Sequence, residues 1–273
     1  MPEKPEVITV SNSLRPRLVG KEITGCNVYW DNIIAYPTTD EFKREVIGQK
    51  ILDVTTRGKF IKILLDKDVL LIHLRMEGKF FFRKKGDTIV KHEHVEFVLD
   101  DDISFRYHDV RKFGKMYLIP KEMVDKVKPL NELGYEFDDS KLTKEYLYEK
   151  IHNKKLPIKT VLLDQSIITG IGNIYDDEIL FRSKISPYRK ANEVSLDACA
   201  EIIKNTRLVL SEAIKKGGTT IKSFTSSEGV HGLFQNELLV HGKKNDNCPS
   251  CGSKIEVCRI GGRGTYYCAK CQK

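Results

Sequence analysis

The segment that decides the fold is "CPSCGSKIEVCRIGGRGTYYCAKC", residues 248–271, in which two C-x2-C pairs are separated by sixteen residues. Four thiolates at this spacing are typical of tetrahedral zinc, and a site filled by four cysteines leaves no coordination position open for catalysis. A redox dithiol explains one pair but not two. The sequence therefore predicts one structural Zn²⁺ ion, bound by Cys248, Cys251, Cys268 and Cys271.

The stretch between the two pairs has the pattern of two short strands joined by "GGRG" (261–264), which places Arg263 at a glycine-rich tip. Residues 241–273 contain seven Lys and Arg but only two Asp and Glu, so the tip stays basic after zinc and its thiolates are counted. A basic tip of this shape suits a phosphate or a groove. A solvated turn with one exposed arginine fits the pattern equally well.

The whole chain of 273 residues carries a net charge of +8, which favours a polyanionic partner, nucleic acid before a membrane surface. No apolar stretch approaches the ~18 residues of a membrane-spanning helix. An odd number of cysteines, seven, with no secretory signal favours reduced thiols over disulfides. We therefore expect a protein of the cytosol with no membrane partner.

The N-terminal half has the apolar alternation of antiparallel hairpins. "FIKILL" (60–65) and "VLLIHL" (69–74) flank one short turn, and "HVEFVL" (94–99) and "ISFRYH" (103–108) flank another. A helix beginning near Pro5, a residue suited to a first turn, precedes them. The pattern becomes helical after a Pro- and Gly-containing connector. We predict a β-sandwich domain at 1–130, a linker at 131–142, a helical domain at 143–235 and a zinc finger at 236–273.

A glycine pair occurs in "GIGN" (170–173), directly before a helix that is predicted to start near Asn173. Free N–H groups and the helix dipole make such a start a natural phosphate seat. The match to a dinucleotide fingerprint is poor, because no strand leads into it. Simple turn chemistry is the plainer alternative, but the neighbouring basic finger favours contact with a nucleic-acid backbone.

Eight stretches follow one another in the order of a known family: "MPEKPEV", "RGKF", "HLRMEG", "KHEHV", "DVRKFG", "GIGNIYDDE", "FQNELLVHGK" and the four-cysteine finger ending "CQK". Along nearly its whole length the chain resembles the formamidopyrimidine-DNA glycosylases, bacterial base-excision enzymes for oxidised purines. The resemblance implies an α+β multidomain fold: an N-terminal antiparallel β-sandwich with an N-terminal helix, a helix–two-turn–helix domain and a zinc β-hairpin. It also implies a glycosylase that cleaves the strand by β,δ-elimination after forming a Schiff base.

The same resemblance assigns the catalytic groups. Pro2, freed by removal of Met1, corresponds to the nucleophile that attacks the sugar C1′. An α-amino group has a pKa of roughly 7.7–8.0, so part of it is unprotonated in the cytosol. Glu3 corresponds to the proton donor and Glu6 to an assisting carboxylate. The two elimination steps are assigned to Lys59 (β) and Arg263 (δ).

Further positions correspond to family contacts with DNA. Met76, Arg111 and Phe113 match the trio that fills the space left by an extruded base, which suits an apolar plug, a guanidinium and an aromatic wedge. The remaining matches are His73, His92, Lys154, Lys159 and Asn173. His92 and His94 alternate along one strand, but the sequence offers no third ligand for a metal there.

The chain also departs from the family pattern, at Lys4, Ile8, Ala35, Tyr135, Phe137 and His241. None of these changes removes a catalytic group; they concern DNA affinity, hinge geometry and substrate range. Two alternatives remain open: an endonuclease VIII-like enzyme for oxidised pyrimidines, and a non-catalytic zinc protein that binds damaged DNA. For the main hypothesis we expect a monomer in the bacterial cytosol or nucleoid, acting on damaged double-stranded DNA without a nucleotide cofactor.

Overall fold

The computed structural model describes residues 1–219 and 232–273, which form two compact units. The first contains Met1–Asn131 together with Thr219 and Gly232, and the second contains Glu132–Gly218 and Leu233–Lys273. Within the described ranges, no helix combines the length and apolarity needed to cross a bilayer. The predicted borders of linker, helical domain and finger are finer than this division and stay predictions.

The first unit begins with helix α1 (Lys4–Leu18), whose N-cap is Glu3 and whose first turn contains a proline. Proline fits there because the first N–H groups of a helix have no intrahelical acceptor. Val7, Val10 and Leu14 recur at helical spacing and are buried. The helix therefore lies with its apolar side on the core of the sandwich, and its N-terminus carries the Pro-Glu motif.

Two sheets complete the first unit, with a short helix α2 (Thr39–Val46) between the second and third strands. The four-stranded sheet has the order β1-β7-β8-β6 and the five-stranded sheet the order β2-β9-β5-β4-β3. Every pair is antiparallel except β2 with β9. The strands are β1 (Ile23–Val28), β2 (Ile34–Tyr36), β3 (Asp53–Arg57), β4 (Phe60–Leu64), β5 (Asp68–His73), β6 (Lys79–Lys84), β7 (Glu93–Leu99), β8 (Ile103–His108) and β9 (Lys115–Pro120).

The register of the sheets confirms both predicted hairpins. Phe60 pairs with His73 across β4 and β5, and Phe97 pairs with Phe105 across β7 and β8. Inward side chains of both sheets, such as Ile61 and Phe105, belong to one buried apolar cluster with α1. Alternate residues of a strand point to opposite faces, so the period-two pattern in the sequence specifies this two-layer core.

The second unit consists of helices and one hairpin: α3 (Lys144–Ile151), α4 (Ile158–Leu162), α5 (Asn173–Arg182), α6 (Leu196–Lys215), β10 (Glu256–Ile260) and β11 (Arg263–Tyr267). The hydroxyl of Ser195 accepts the N–H of Ala198 at 3.2 Å and caps α6. Two glycines with positive φ follow the last turn of α6. The predicted fold class is confirmed: a β-sandwich with an N-terminal helix, a helical domain and a four-cysteine hairpin.

Candidate functional site

The start of α1 buries the Pro-Glu motif. Glu3 is 2% exposed and Glu6 is 4% exposed. One oxygen of the Glu6 carboxylate accepts the N–H of Glu3 at 2.8 Å, and the other accepts the N–H and hydroxyl of Thr219 at 2.8 and 3.1 Å. Hydrogen bonds to a carboxylate are stronger than neutral ones. Glu6 therefore fixes the backbone directly after Pro2 and ties it to the residue that precedes 220–231.

Lys59 lies in the turn between β3 and β4. The turn has two residues, and the first is Gly58 at φ 55°, a left-handed conformation that tight hairpin turns require. Lys59 is only 6% exposed. Its charge acts on His73, which pairs with the next residue, Phe60, on the adjacent strand. The "RGKF" motif thus places a buried cation beside a buried imidazole.

The imidazole of His73 is held in one tautomer. Its Nδ1 accepts the N–H of Arg75 at 3.0 Å, so the ring proton resides on Nε2. Burial lowers the pKa of His73 to about 3, and the nearby charges of Arg75 and Lys59 act in the same direction. His73 is therefore neutral at physiological pH and offers an N–H donor, which is the form that can bind a phosphate oxygen without titrating.

This neutral state predicts a pH-dependent loss of stability that His73→Asn removes. Asparagine keeps an acceptor where Nδ1 lies but has no proton to bind. In the unfolded wild-type chain His73 takes up a proton below its ordinary pKa of 6.5, whereas the native protein does so only near 3. We expect wild type to lose unfolding free energy relative to the variant below pH 6.5, by up to about 1.4 kcal/mol per pH unit.

Urea titrations of both proteins between pH 8.5 and 4.5 measure this difference. Above pH 7.5 the difference between the two unfolding free energies should be constant, which serves as the internal control. A difference that stays constant down to pH 4.5 would contradict the buried neutral state of His73.

The three residues predicted to fill the space of an extruded base lie in two loops of the first unit. Met76 is half-buried in the turn between β5 and β6. Arg111 and Phe113 are exposed in the loop between β8 and β9, with the guanidinium carbon 4.8 Å from the centre of the Phe113 ring. Half of the Phe113 surface faces solvent. An exposed aromatic ring on a short loop has the chemistry of a wedge between stacked bases.

His92 lies just before β7, beside one histidine of β7 and one of β8. It is half-buried with φ 73°, and its ring centre lies 6.2 Å from that of His94 and 5.8 Å from that of His108. Burial is the main cause that lowers the pKa of both neighbours, and the charge of His92 acts in the same direction. The neighbours are therefore mainly neutral, and their edge-to-face contacts orient the His92 ring.

In the second unit Asn173 begins α5 behind the N-cap Gly172. Its side-chain amide donates to the carbonyl of Gly264 at 2.8 Å, while its buried Oδ1 has no hydrogen-bond partner among residues 1–219 and 232–273. The side chain of Asn173 therefore supports the finger hairpin, and its predicted contact with DNA stays a prediction. Lys154 lies after α3, where its backbone bonds to Ile151 and Asn192 fix its position.

Lys159 occupies a different environment from that of a surface DNA contact. Its side chain is fully buried, with Nζ 2.7 Å from an oxygen of Asp177 and 3.5 Å from one of Asp176. Asp177 also accepts from the ring of His241 at 2.6 Å and from the N–H of Tyr266 at 3.2 Å. Lys159 thus belongs to an internal charged network that joins α4, α5 and the finger, and contact with DNA requires this network to open.

The sequence alone did not indicate the roles of several residues of the site. Glu178 accepts three consecutive backbone N–H groups, those of 239–241, at 2.8–2.9 Å. Asp109 accepts three backbone N–H groups in the loop that follows β8, and Asp177 on α5 accepts the N–H of Tyr266 in the finger. The only signal was the run of carboxylates in "IYDDE" and the aspartate of "DVRKFG", acidic residues within otherwise apolar or basic surroundings.

The four predicted zinc ligands converge. Their sulfur atoms all lie within 4.8 Å of one another, with separations of 3.8 Å for Cys248–Cys271 and 3.5 Å for Cys251–Cys268. A tetrahedron with Zn–S bonds of about 2.3 Å has sulfur–sulfur edges of about 3.8 Å. The donor set therefore fits Zn²⁺. The hairpin above it turns at two glycines with positive φ and exposes Arg263.

Sequence models of three known domains match the chain. The model of the formamidopyrimidine-DNA glycosylase N-terminal domain matches residues 1–116, and that of the H2TH domain of the same enzymes matches residues 133–225. A zinc finger found in FPG and IleRS matches residues 246–273. Together they account for most of the chain.

Curated proteins and solved structures agree with these domain matches. The formamidopyrimidine-DNA glycosylase of Oceanobacillus iheyensis is 42% identical over 273 residues, which cover 100% of this chain and 98% of that protein. The one from Exiguobacterium is 43% identical, with both chains covered completely. Wild-type Lactococcus lactis Fpg in complex with a DNA containing N7-benzyl-Fapy-dG superposes with a TM-score of 0.92 at 33% identity over 100% of both chains. MutM in complex with DNA containing carbocyclic 8-oxo-G gives 0.91 at 33% identity, again over 100% of both chains.

A β-sandwich headed by a Pro-Glu helix, followed by an H2TH domain and a four-cysteine hairpin, defines a class of enzyme: the DNA glycosylases of base excision repair that also cleave at abasic sites. The chain belongs to the formamidopyrimidine-DNA glycosylase family. The predicted structural zinc is confirmed by the finger match and the converging cysteines.

Proposed function

We propose that this glycosylase removes oxidised purines, 8-oxoguanine and formamidopyrimidines, from double-stranded DNA through a Schiff base on Pro2. The observation that carries the proposal is the fixed start of α1, where the Glu6 carboxylate holds the backbone N–H next to Pro2. A nucleophile on a disordered terminus would lose conformational entropy in each catalytic cycle, whereas the backbone next to Pro2 is already ordered. The relatives in complex with Fapy-dG and 8-oxo-G DNA support the lesion class.

The chemistry uses groups of the polypeptide itself. The Pro2 nitrogen forms a bond to C1′, the glycosidic bond breaks, and its electron pair leaves with the base, which takes up a proton. Glu3 donates a proton to the sugar ring oxygen as the ring opens. The resulting iminium draws electrons from the adjacent carbon, so removal of a 2′ proton expels the 3′ phosphate. We assign this β-elimination to Lys59 and the following δ-elimination to Arg263.

The remaining predicted residues bind the substrate. Met76, Arg111 and Phe113 fill the space of the extruded nucleotide, and the neutral His73 donates to a phosphate oxygen. The other proposed contacts are His92, Lys154 and Asn173. Lys159 supports Asn173, because its Nζ donates to the backbone carbonyl of Asn173 at 3.2 Å. We further propose that the enzyme acts as a monomer in the bacterial cytosol or nucleoid and needs no nucleotide cofactor.

A base-release assay on duplexes containing 8-oxoguanine, a formamidopyrimidine or thymine glycol tests this function, with borohydride trapping in parallel. We expect release of the purine lesions at least about tenfold faster than thymine glycol, a discrimination of ~1.4 kcal/mol. Faster release of thymine glycol would identify the endonuclease VIII type. The absence of a trapped adduct from protein with verified loss of Met1 would identify a non-catalytic binder.

A further inference from the structure

The hydroxyl of Tyr107 separates the two loops that carry the base-replacing residues. Tyr107 is fully buried on β8. A Cβ atom built on Gly78 would lie 2.3 Å from this hydroxyl oxygen, and one built on Gly114 would lie 1.8 Å from it. Real Cβ contacts are never this short. Gly78 ends the loop of Met76, and Gly114 ends the loop of Arg111, so both loops close against one hydroxyl group.

A buried carboxylate shapes the second of these loops. Asp109 is 0% exposed. Its Oδ1 accepts the N–H of Arg111 at 3.0 Å, and its Oδ2 accepts the N–H groups of Phe113 and Gly114 at 2.9 and 2.8 Å. The hydroxyl of Tyr107 also donates to Oδ2 at 3.4 Å. One carboxylate thus restrains the backbone on both sides of the exposed tip.

The loop needs such a restraint because its backbone is not in a relaxed conformation. Lys112, at its centre, has φ 58°, in the left-handed region that costs a residue with a side chain roughly 1 kcal/mol or more. Arg75, next to Met76 in the first loop, has φ 53°. Each conformation persists when surrounding bonds over-determine it, which the Asp109 carboxylate does for the second loop.

We propose that Tyr107 and Asp109 are positioning residues that hold both loops as one rigid wedge for extrusion of the damaged nucleotide. The inference rests on the proposed function of Met76, Arg111 and Phe113. Opening a base step costs a few kcal/mol, and a wedge that had to order itself first would add the entropy of its own residues to that cost. A wedge that is ordered in advance adds no such term.

Asp109→Asn separates this role from the chemistry. An amide has one acceptor oxygen, so its NH₂ group must face at least one of the three N–H groups that the carboxylate now binds. We expect base release from an 8-oxoguanine duplex to fall about 20- to 100-fold, which is within the range for one lost charge-assisted bond. Borohydride trapping on a single-stranded abasic oligonucleotide should stay within about twofold of wild type, because no base stack has to be opened there.

The matched control is Asp100→Asn, which removes an exposed carboxylate at the β7–β8 turn. It should leave both activities at the wild-type level. Tyr107→Phe is the second variant: it removes only the hydroxyl and should lower duplex base release about 3- to 10-fold, again without affecting the single strand, as expected for one neutral hydrogen bond. Duplex activities of both variants equal to that of Asp100→Asn would overturn the proposal, and so would equal losses on duplex and single strand.

Amide hydrogen exchange tests the loop without any activity. In Asp109→Asn the N–H groups of Arg111, Phe113 and Gly114 should exchange at least about tenfold faster than in wild type, while those of strand β5 stay unchanged. Unchanged exchange at all three amides would overturn the restraint. The exchange measurement therefore tests the loop restraint separately from the proposed function. Failure of the wild-type enzyme to release purines would refute the proposed function, but the exchange rates of the loop amides would remain valid.

Discussion

Protein whose Pro2 nitrogen is converted to an amide by a Gly-Ser extension is expected to form no borohydride-trapped adduct with abasic DNA. Base release from an 8-oxoguanine duplex should fall by roughly 10⁴-fold or more, the scale seen when a covalent nucleophile is removed. An amide nitrogen shares its lone pair with the carbonyl and cannot attack a sugar carbon. An amine at the same position has no such constraint.

The extension needs a control for packing, because Pro2 is buried at the start of α1. The extension therefore also contains a protease site directly before Pro2. Cleavage of the same preparation removes the extension and regenerates the free imino group. Adduct formation should then return to the wild-type level, with the new terminus verified by mass spectrometry. An extended protein that traps abasic DNA as efficiently as the cleaved one would refute Pro2 as the nucleophile.

The elements that the sequence predicted well are those in which a residue pattern has one physical cause. Alternation of apolar residues in 60–74 and 94–108 has a single solution, a hairpin with one buried face, and the structure has both. The cysteine spacing likewise allows one compact ligand set. These features depend on local geometry, so one sequence contains enough information to predict them.

The arrangement around the site was harder to predict, because buried polar contacts leave no periodic pattern. Glu6 was assigned as an assisting carboxylate, and the structure adds its hydrogen bonds to the backbone of Glu3 and Thr219. Lys159 was assigned as a contact with DNA, which stays a prediction, and the structure adds that its ammonium is buried against Asp177. Partners for these groups come from distant parts of the chain, and nothing in the neighbouring residues specifies them.

His241 differs from the family pattern, and its physical role is visible only in the folded unit. Its ring contacts the Asp177 carboxylate at 2.6 Å, and its centre lies 4.9 Å from that of Tyr266 in the finger. The sequence showed only that the residue differs from the family pattern. In the structure the imidazole joins the charged network between α5 and the hairpin, so the substitution concerns the attachment of the finger rather than the catalytic groups.

Removing one zinc ligand, by Cys268→Ser, is the second change with a large expected effect. The apolar cluster of the finger is small: in the part of the chain that the structure describes it contains five buried residues, one of which belongs to α5. A module of this size needs a metal to fold, and zinc contributes roughly 10–16 kcal/mol to the folding of such peptides. We expect bound zinc to fall from one ion per chain to nearly none, and affinity for abasic-site duplex DNA to fall at least about 100-fold through loss of phosphate contacts of the basic tip.

Cys258→Ser provides the matched control, since this thiol lies in β10 of the same hairpin but outside the ligand cluster. Its sulfur contacts the carbonyl of Thr265 at 3.9 Å, a weak bond that a serine hydroxyl can replace. This variant should keep one zinc ion, measured by plasma mass spectrometry, and an affinity within about threefold of wild type, since surface-proximal substitutions change stability little. Full zinc content or wild-type DNA binding in Cys268→Ser would contradict the structural role of the metal. Equal losses of zinc and of DNA affinity in both variants would also contradict it, because ligation would then not distinguish the two cysteines.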